Sequence, residues 1–304
     1  DRIFRIVEKN EKGEGWAAAP APLAAGMKND LPEVEQSARL LTFPDIATML
    51  IKYEHNAESK QLFETNGYYV DSTFFQVLSY DFIYGNATAA LDEPNTTVIS
   101  KELAGKFFDN ENPLGKSLRI TTPFGEFNYT VKGVFNSDKN KSHIPVNFFL
   151  SMRNNDMWNW VQNQTNWTTN NIFFTYVKLK QDVSTPAFEK KLNVLFDKHA
   201  GADMKAAGFS KTFFAQSVKH IHLHSDLGNE IGANGNITYL YILGSIAAFM
   251  LLIACINFMN LSTARSERRA KEVGVRKVMG AEKKSLVLQF LGESFIMCII
   301  ALAG

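Results

Sequence analysis

Residues 237–304 read ITYLYILGSIAAFMLLIACINFMNL (Ile237–Leu261), STARSERRAKEVGVRKVMGAEKKS (Ser262–Ser285) and LVLQFLGESFIMCIIALAG (Leu286–Gly304). The first stretch has 25 residues and no charge. As a helix rising about 1.5 Å per residue it crosses the ~30 Å hydrocarbon core of a bilayer. The third stretch is apolar apart from Glu293 and is still running at Gly304. Between them, residues 265–284 carry eight Lys/Arg against three Glu. Two oily spans flanking a short basic loop predict a membrane hairpin: a transmembrane helix at 237–261, a connector at 262–285 and the start of the next helix at 286–304. Short loops rich in Lys and Arg stay in the cytoplasm. The connector is therefore expected inside the cell and residues 1–236 outside it. That topology calls for an anchor before Asp1. Together with the missing initiator Met and the open apolar run at Gly304, it leads us to expect a piece of a longer, multi-pass polypeptide.

The overall charge of +1 conceals a division, because the connector sums to +5 and the region 1–236 to −3. The larger region therefore offers no basic surface for nucleic acid. Both cysteines, Cys255 and Cys298, lie in the apolar stretches, which excludes a disulfide-stapled outer domain. About 236 residues suffice to bury an ordinary core without staples.

The pattern in that region predicts an α+β fold. Arg2–Glu8 reads as a strand, Pro20–Asn29 as a helix stopped by Leu31-Pro32, and Val34–Phe43 as a strand. The same order recurs with Ile172–Lys180 as a strand and a helix opened by Thr185-Pro186 as N-cap and N1 proline. Its apolar stripe is Phe188, Leu192, Leu195 and Phe196, with Gly201 and Gly208 at its end, and Lys211–Leu223 follows as a strand. Two strand–helix–strand units predict a split βαβ, ferredoxin-like layer formed by 1–66 and 172–236. Residues 67–171 read as an inserted, mostly β subdomain. It has short helices at Asp71–Leu78 and at Ser100–Phe108, capped by Ser100, a hairpin of Ser117–Thr122 with Phe127–Phe135, and a long loop at 154–171.

Two motifs invite chemical readings. On a strand, His220, His222 and His224 would share one face about 6.5–7 Å apart. A usual zinc site needs a fourth ligand and a chain that bends between ligands, so a partly exposed strand is the plainer reading and no metal site is assigned. Asn112–Ser117 (NPLGKS) ends like a phosphate loop but lacks the glycine five residues before Gly115 and is followed by a strand, so it is read as a turn. No Walker A sequence, G-x-S-x-G, H-E-x-x-H or outer cysteine occurs. No enzymatic activity and no cofactor is expected of this chain.

The connector is ordered in its charges. Glu267–Lys271, Arg268–Glu272 and Glu272–Arg276 are opposite pairs at i,i+4, which stiffen a helix. The run 264–279 predicts a helix broken or hinged near Gly274, with Gly280-Ala281 ending it and Lys283-Lys284 marking re-entry. A rigid helix made to dock on a partner fits these pairs better than a loop whose charges merely touch anionic lipid. Glu293, two turns into the second span, would cost roughly 2.5–3.5 kcal/mol at a bilayer centre, so an interfacial position or a polar contact between helices is expected.

With these residues assembled, the run from Ile253 to Ser294 resembles the core of FtsX/MacB-type ABC transporter permeases. The resemblance rests on Asn257, Asn260 with Leu261–Ala264, Arg268-Arg269, Lys271–Gly274, Arg276-Lys277, Gly280-Ala281 and Glu293-Ser294. Upstream, Phe74-Phe75, Val98–Ser100, Phe107-Phe108, Asn112–Lys116 and Val131–Val134 are similar to a MacB-like periplasmic core domain. The resemblance implies a permease of the bacterial inner membrane whose periplasmic domain has a porter-like βαβ part and an inserted sabre-like β part. It also implies an ABC ATPase partner, a homo- or heterodimer of permeases, lipid contact, and in some relatives a periplasmic adaptor and an outer-membrane channel. ATP-driven movement would pass through Arg265, Arg268, Arg269, Lys271, Glu272, Gly274, Arg276, Lys277, Gly280 and Ala281, with Asn257, Asn260 and Glu293 as polar positions in the spans. The expected work is export or extraction of peptides, macrolide-like compounds or lipoproteins by mechanotransmission. The alternative is a regulatory complex that activates a periplasmic cell-wall hydrolase.

Overall fold

Alternating apolar residues build the first strand, β1 (Ile3–Asn10), whose Phe4 and Ile6 are buried on one face. The computed structural model describes residues 2–43, 48–55, 58–109, 111–122, 124–139, 142–153, 155–280 and 282–303. It divides into one unit of residues 1–236 and another of 237–304. In the first unit β1 is followed by β2 (Gly15–Trp16), α1 (Pro22–Asp30) and β3 (Val34–Leu41). Much later come β12 (Phe173–Leu179), α5 (Thr185–Ala207), β13 (Lys211–Ser217) and α6 (Val218–His224). Between them lie β4 (Thr48–His55), β5 (Glu58–Thr65), β6 (Gly67–Val70), α2 (Phe74–Val77), β7 (Phe82–Gly85), β8 (Thr96–Ser100), α3 (Lys101–Phe108), β9 (Ser117–Thr122), β10 (Gly125–Phe135), β11 (Phe148–Ser151) and α4 (Asn155–Gln162).

The strands hydrogen-bond in the order β13-β1-β12-β3-β6-β11-β8-β10-β9-β4-β5, with β2 on β1 and β7 on β10. The first four are antiparallel neighbours joined through α1 and α5, which is the strand order of a split βαβ layer. One side of this layer is packed by the helices. Phe4, Ile6, Val177 and Phe213 meet Leu23 and Met27 of α1 and Phe188, Leu192, Leu195 and Phe196 of α5. On the opposite side, Ala38, Leu40, Phe174 and Tyr176 join a core rich in aromatic rings, with Phe149 touching Phe74, Phe75, Tyr80 and Phe135. A third core, containing Ile51, Phe107, Ile120, Tyr129 and Val131, lies along β10, β9 and β4 with α3 and α4.

Local signals in the sequence account for many of these elements. The Ser100 side chain accepts a hydrogen bond from Leu103 N at 3.1 Å and caps α3. β9 and β10 pair from Thr122–Gly125 to Ser117–Thr130. Gly208 closes α5 in the left-handed conformation, φ +73°.

Six expectations need correction. Residues 155–162 are helical (α4) inside the expected loop at 154–171, because Met157 and Val161 share a buried face that the surrounding Asn and Trp hide. Ser184, in extended conformation, occupies the N-cap of α5, so Thr185 is the first helical residue, and Gly201 lies inside the helix instead of ending it. The strand expected over 211–223 ends at Ser217 and continues as α6. The hairpin β4–β5, expected with the first layer, pairs through β4 with β9 at the far end of the strand order. The second unit holds α7 (Ile237–Val278) and α8 (Lys283–Ala303), and α7 runs without the break expected near Gly274.

Candidate functional site at the connector

α7 is one helix of 42 residues, so the apolar span and the charged connector share a single rod. At about 1.5 Å per residue it is about 63 Å long. The stretch Ile237–Ser266 of α7 and Lys283–Ala301 of α8 are both long and apolar enough to cross a membrane. Hydroxyls inside the span bond to their own helix: Thr263 Oγ1 donates to Met259 O at 2.9 Å and Ser245 Oγ to Ile242 O at 2.8 Å, which removes the cost of bare hydroxyls in lipid.

Beyond the span, the predicted pair Glu272–Arg276 forms, with Arg276 Nη2 2.7 Å from Glu272 Oε1. Arg276 Nη1 also donates to Gln289 Oε1 of α8 at 3.2 Å, and Gln289 Nε2 donates to Glu293 Oε1 at 3.4 Å. A polar chain Glu272–Arg276–Gln289–Glu293 therefore links the connector to the second span. The bond of this chain that passes between helices is Arg276–Gln289, whereas Glu293 meets Gln289 within α8. Gln289 was missed in the sequence; its spacing four residues before Glu293 was the available signal.

A cleft of about 480 Å³ between the two helices is lined by Phe258, Ser262, Arg265, Val273, Glu293 and Ser294, among others. Arg265 and Glu293 are thereby brought to one place, whereas Asn257 and Asn260 do not line it. Lys271 and Lys277 are exposed. The side chains of Glu267, Arg268 and Arg269, and Ala281 as a whole, lie outside the described residues. At Gly274 an added Cβ would meet nothing within 4 Å, so its missing side chain leaves an open notch on the rod. Gly280 has φ +94° in the turn after α7, a backbone conformation that favours glycine.

The three histidines of 220–224 fall on α6. Its helical turn sets His220 and His224 four residues apart with ring centroids 5.5 Å from each other, so the shared strand face does not exist. Among the described residues no group of three or more His, Cys, Asp or Glu is placed to hold a metal ion.

Residues 1–195 match the MacB-like periplasmic core domain, and residues 244–304 match the FtsX-like permease C-terminal domain. The chain is 29% identical over 245 residues to the macrolide export ATP-binding/permease protein MacB of Aggregatibacter actinomycetemcomitans, covering 80% of this chain and 34% of that protein. It is 26% identical over 231 residues to the uncharacterized ABC transporter permease YknZ of Bacillus subtilis, covering 72% of this chain and 47% of that protein. In fold it is similar to a domain of a putative permease from Porphyromonas gingivalis, with a TM-score of 0.56 at 21% identity over 72% of this chain and 90% of that one. The α+β unit, the two apolar helices and these matches agree, and the chain belongs to the FtsX/MacB-type permease family, as a MacB-like periplasmic core domain joined to an FtsX-like permease segment.

Proposed function

We propose that this chain is part of an ABC transporter permease that converts ATP hydrolysis by a partner ATPase into movement of a periplasmic domain. The observation that carries the reading is the continuity of α7, a 42-residue helix that joins the apolar span to the charged connector. A loop in place of its last turns would absorb displacement; an unbroken helix with Glu272 paired to Arg276 transmits it. Arg265, Arg268, Arg269, Lys271, Glu272, Arg276 and Lys277 are the proposed contacts for the ATPase or for lipid headgroups. The notch at Gly274, the turn at Gly280 and Ala281 would permit close approach of the partner. The chain lies in a bacterial inner membrane with 1–236 in the periplasm. There β13-β1-β12-β3 with α1 and α5 form the porter-like part and the strands from β4 to β11 the sabre-like part. A dimer of permeases is the working assembly. The name of the MacB relative favours export of macrolide-like compounds; a periplasmic adaptor and an outer-membrane channel are proposed as further partners.

Gly274→Val tests this in the assembled transporter. An added Cβ at Gly274 meets nothing within 4 Å outside the adjoining backbone of α7, so the substitution reports on a partner's approach. Combined with Gly280→Val, it is expected to abolish substrate movement while ATP hydrolysis and the unfolding midpoint of residues 1–236 persist. Unchanged transport in the double variant refutes the coupling role.

A further inference from the structure

Arg5 lies in the middle of β1 with none of its surface exposed, on the face of the sheet turned away from α1 and α5. Across the strands it stands opposite Gln216 of β13 and Tyr176 of β12. Its guanidinium grips Glu230 with both ends: Nη1 donates to Oε2 at 2.6 Å and Nη2 to Oε1 at 2.7 Å. Nε and Nη2 also donate to Gln216 Oε1, and Nη2 to Ser225 Oγ at 3.1 Å. Ser225 Oγ in turn donates to Glu230 Oε1 at 2.5 Å and accepts from Gln216 Nε2 at 2.9 Å.

Ser225 and Glu230 belong to residues 225–236, the segment that runs directly into α7. It is held elsewhere as well: Gly228 N donates to Gly15 O, Ala17 N donates to Gly228 O, and Leu227 and Ile231 pack on the aromatic core. The charged pair is the centre of this attachment. A buried ion pair is a poor way to gain stability, since apolar side chains of similar volume do as well or better. What it supplies is a bidentate, direction-specific joint between residues 225 positions apart in sequence.

We infer that the Arg5–Glu230 pair is a force-bearing clasp, fixing the segment that leads into α7 onto the sheet so that displacement of α7 reaches β1 and β13. The inference rests on the mechanotransmission reading above. With the clasp closed, only residues 231–236 separate the fixed point from α7, a reach of at most about 20 Å. With it open, the last hydrogen-bonded hold before α7 is Gly228 on Gly15 and Ala17, and the lead of residues 229–236 can extend to about 26 Å, a slack that takes up motion instead of passing it on.

The test uses the full permease assembled with its ATPase in a membrane. Glu230→Gln leaves a buried, uncompensated arginine and is expected to lower the unfolding midpoint. Adding Gln216→Glu returns a carboxylate to a side chain already 2.7 Å from Arg5, but on β13. This double variant is expected to recover the midpoint, to raise hydrogen exchange in residues 226–236 about ten-fold or more, and to lose transport while ATP hydrolysis continues. Inserting Gly-Ser-Gly-Ser after Asn236 slackens the lead without touching the clasp, and it is expected to lose transport too. Unchanged exchange in the double variant removes the clasp. Raised exchange with full transport, or full transport in the insertion variant, removes its force-bearing role and leaves the connector reading to stand or fall on Gly274→Val.

Discussion

His143 sits beside the Arg5–Glu230 pair, with its Nε2 2.8 Å from the Tyr176 hydroxyl and its ring 5.6 Å from that of Tyr176. Burial, and then the positive charge of Arg5, push its pKa down from 6.5 to about 4, against a smaller opposing pull from Glu230. The folded protein therefore keeps this imidazole neutral where the unfolded chain protonates it. The stability that neutrality confers is complete above about 6.5, falls as pH drops from there to about 4, and levels off below, where both states hold the proton. A gap of about 2.5 units at about 1.36 kcal/mol each sets a ceiling of about 3 kcal/mol, reduced by the partial exposure of the ring. The carboxylates act in a lower window. Burial raises the Glu230 pKa, but the hydrogen bonds from Arg5 and Ser225 outweigh it and hold the group below 4.5, so its contribution is lost only beneath that value. Urea unfolding of residues 1–236 between pH 8 and pH 4.5 separates the two. The wild type is expected to lose stability steeply below pH 6.5. His143→Gln, which can still bond Tyr176 but does not titrate, is expected to show a much flatter line in the same window. Equal slopes for the two proteins between pH 4.5 and 6.5 refute this account of the buried imidazole.

Two further outcomes follow from packing and capping. Phe149, fully buried, meets four aromatic rings at centroid distances of 5.1–5.8 Å, and Phe149→Ala should cost about 3–5 kcal/mol in thermal unfolding of residues 1–236; a loss under about 1 kcal/mol would mean that this core is not packed as described. Ser100→Ala removes the acceptor for Leu103 N and should cost about 1 kcal/mol, a midpoint shift of about 2–4 °C, whereas Ser100→Asp should retain most of the stability.

Elements with a local cause were legible in the sequence. The α3 helix announces itself through Ser100, the β9–β10 hairpin through its turn between Thr122 and Gly125, and α5 through its apolar stripe. Where a pattern is ambiguous the reading failed. Ile221 and Leu223 alternate as in a strand while Val218 and Ile221 stand three apart as on a helix, and tertiary packing chose the helix, with Ile221 buried. The β4–β5 hairpin finds its place only through pairing with β9, more than 50 residues away, which no local signal encodes. At the connector, the Glu272–Arg276 pair follows from spacing alone, while its extension to Gln289 depends on how α8 folds back after the turn at Gly280. Gly274 suggested a hinge because glycine weakens helices by about 1 kcal/mol, yet one such residue in a 42-residue helix leaves it unbroken. The Arg5 joint was invisible, because its partners Gln216 and Glu230 lie 211 and 225 residues away.

The sidedness of the chain bears most directly on the whole account, and cysteine labelling measures it. Asp138 is exposed on the first unit and Lys271 on the connector. With Cys255 and Cys298 replaced, Asp138→Cys and Lys271→Cys are introduced separately into the full protein, and intact spheroplasts are treated with a membrane-impermeant maleimide. Labelling of Asp138→Cys from outside, and of Lys271→Cys only after permeabilisation, is the predicted result. Labelling of Lys271→Cys in intact spheroplasts while Asp138→Cys stays protected would contradict it.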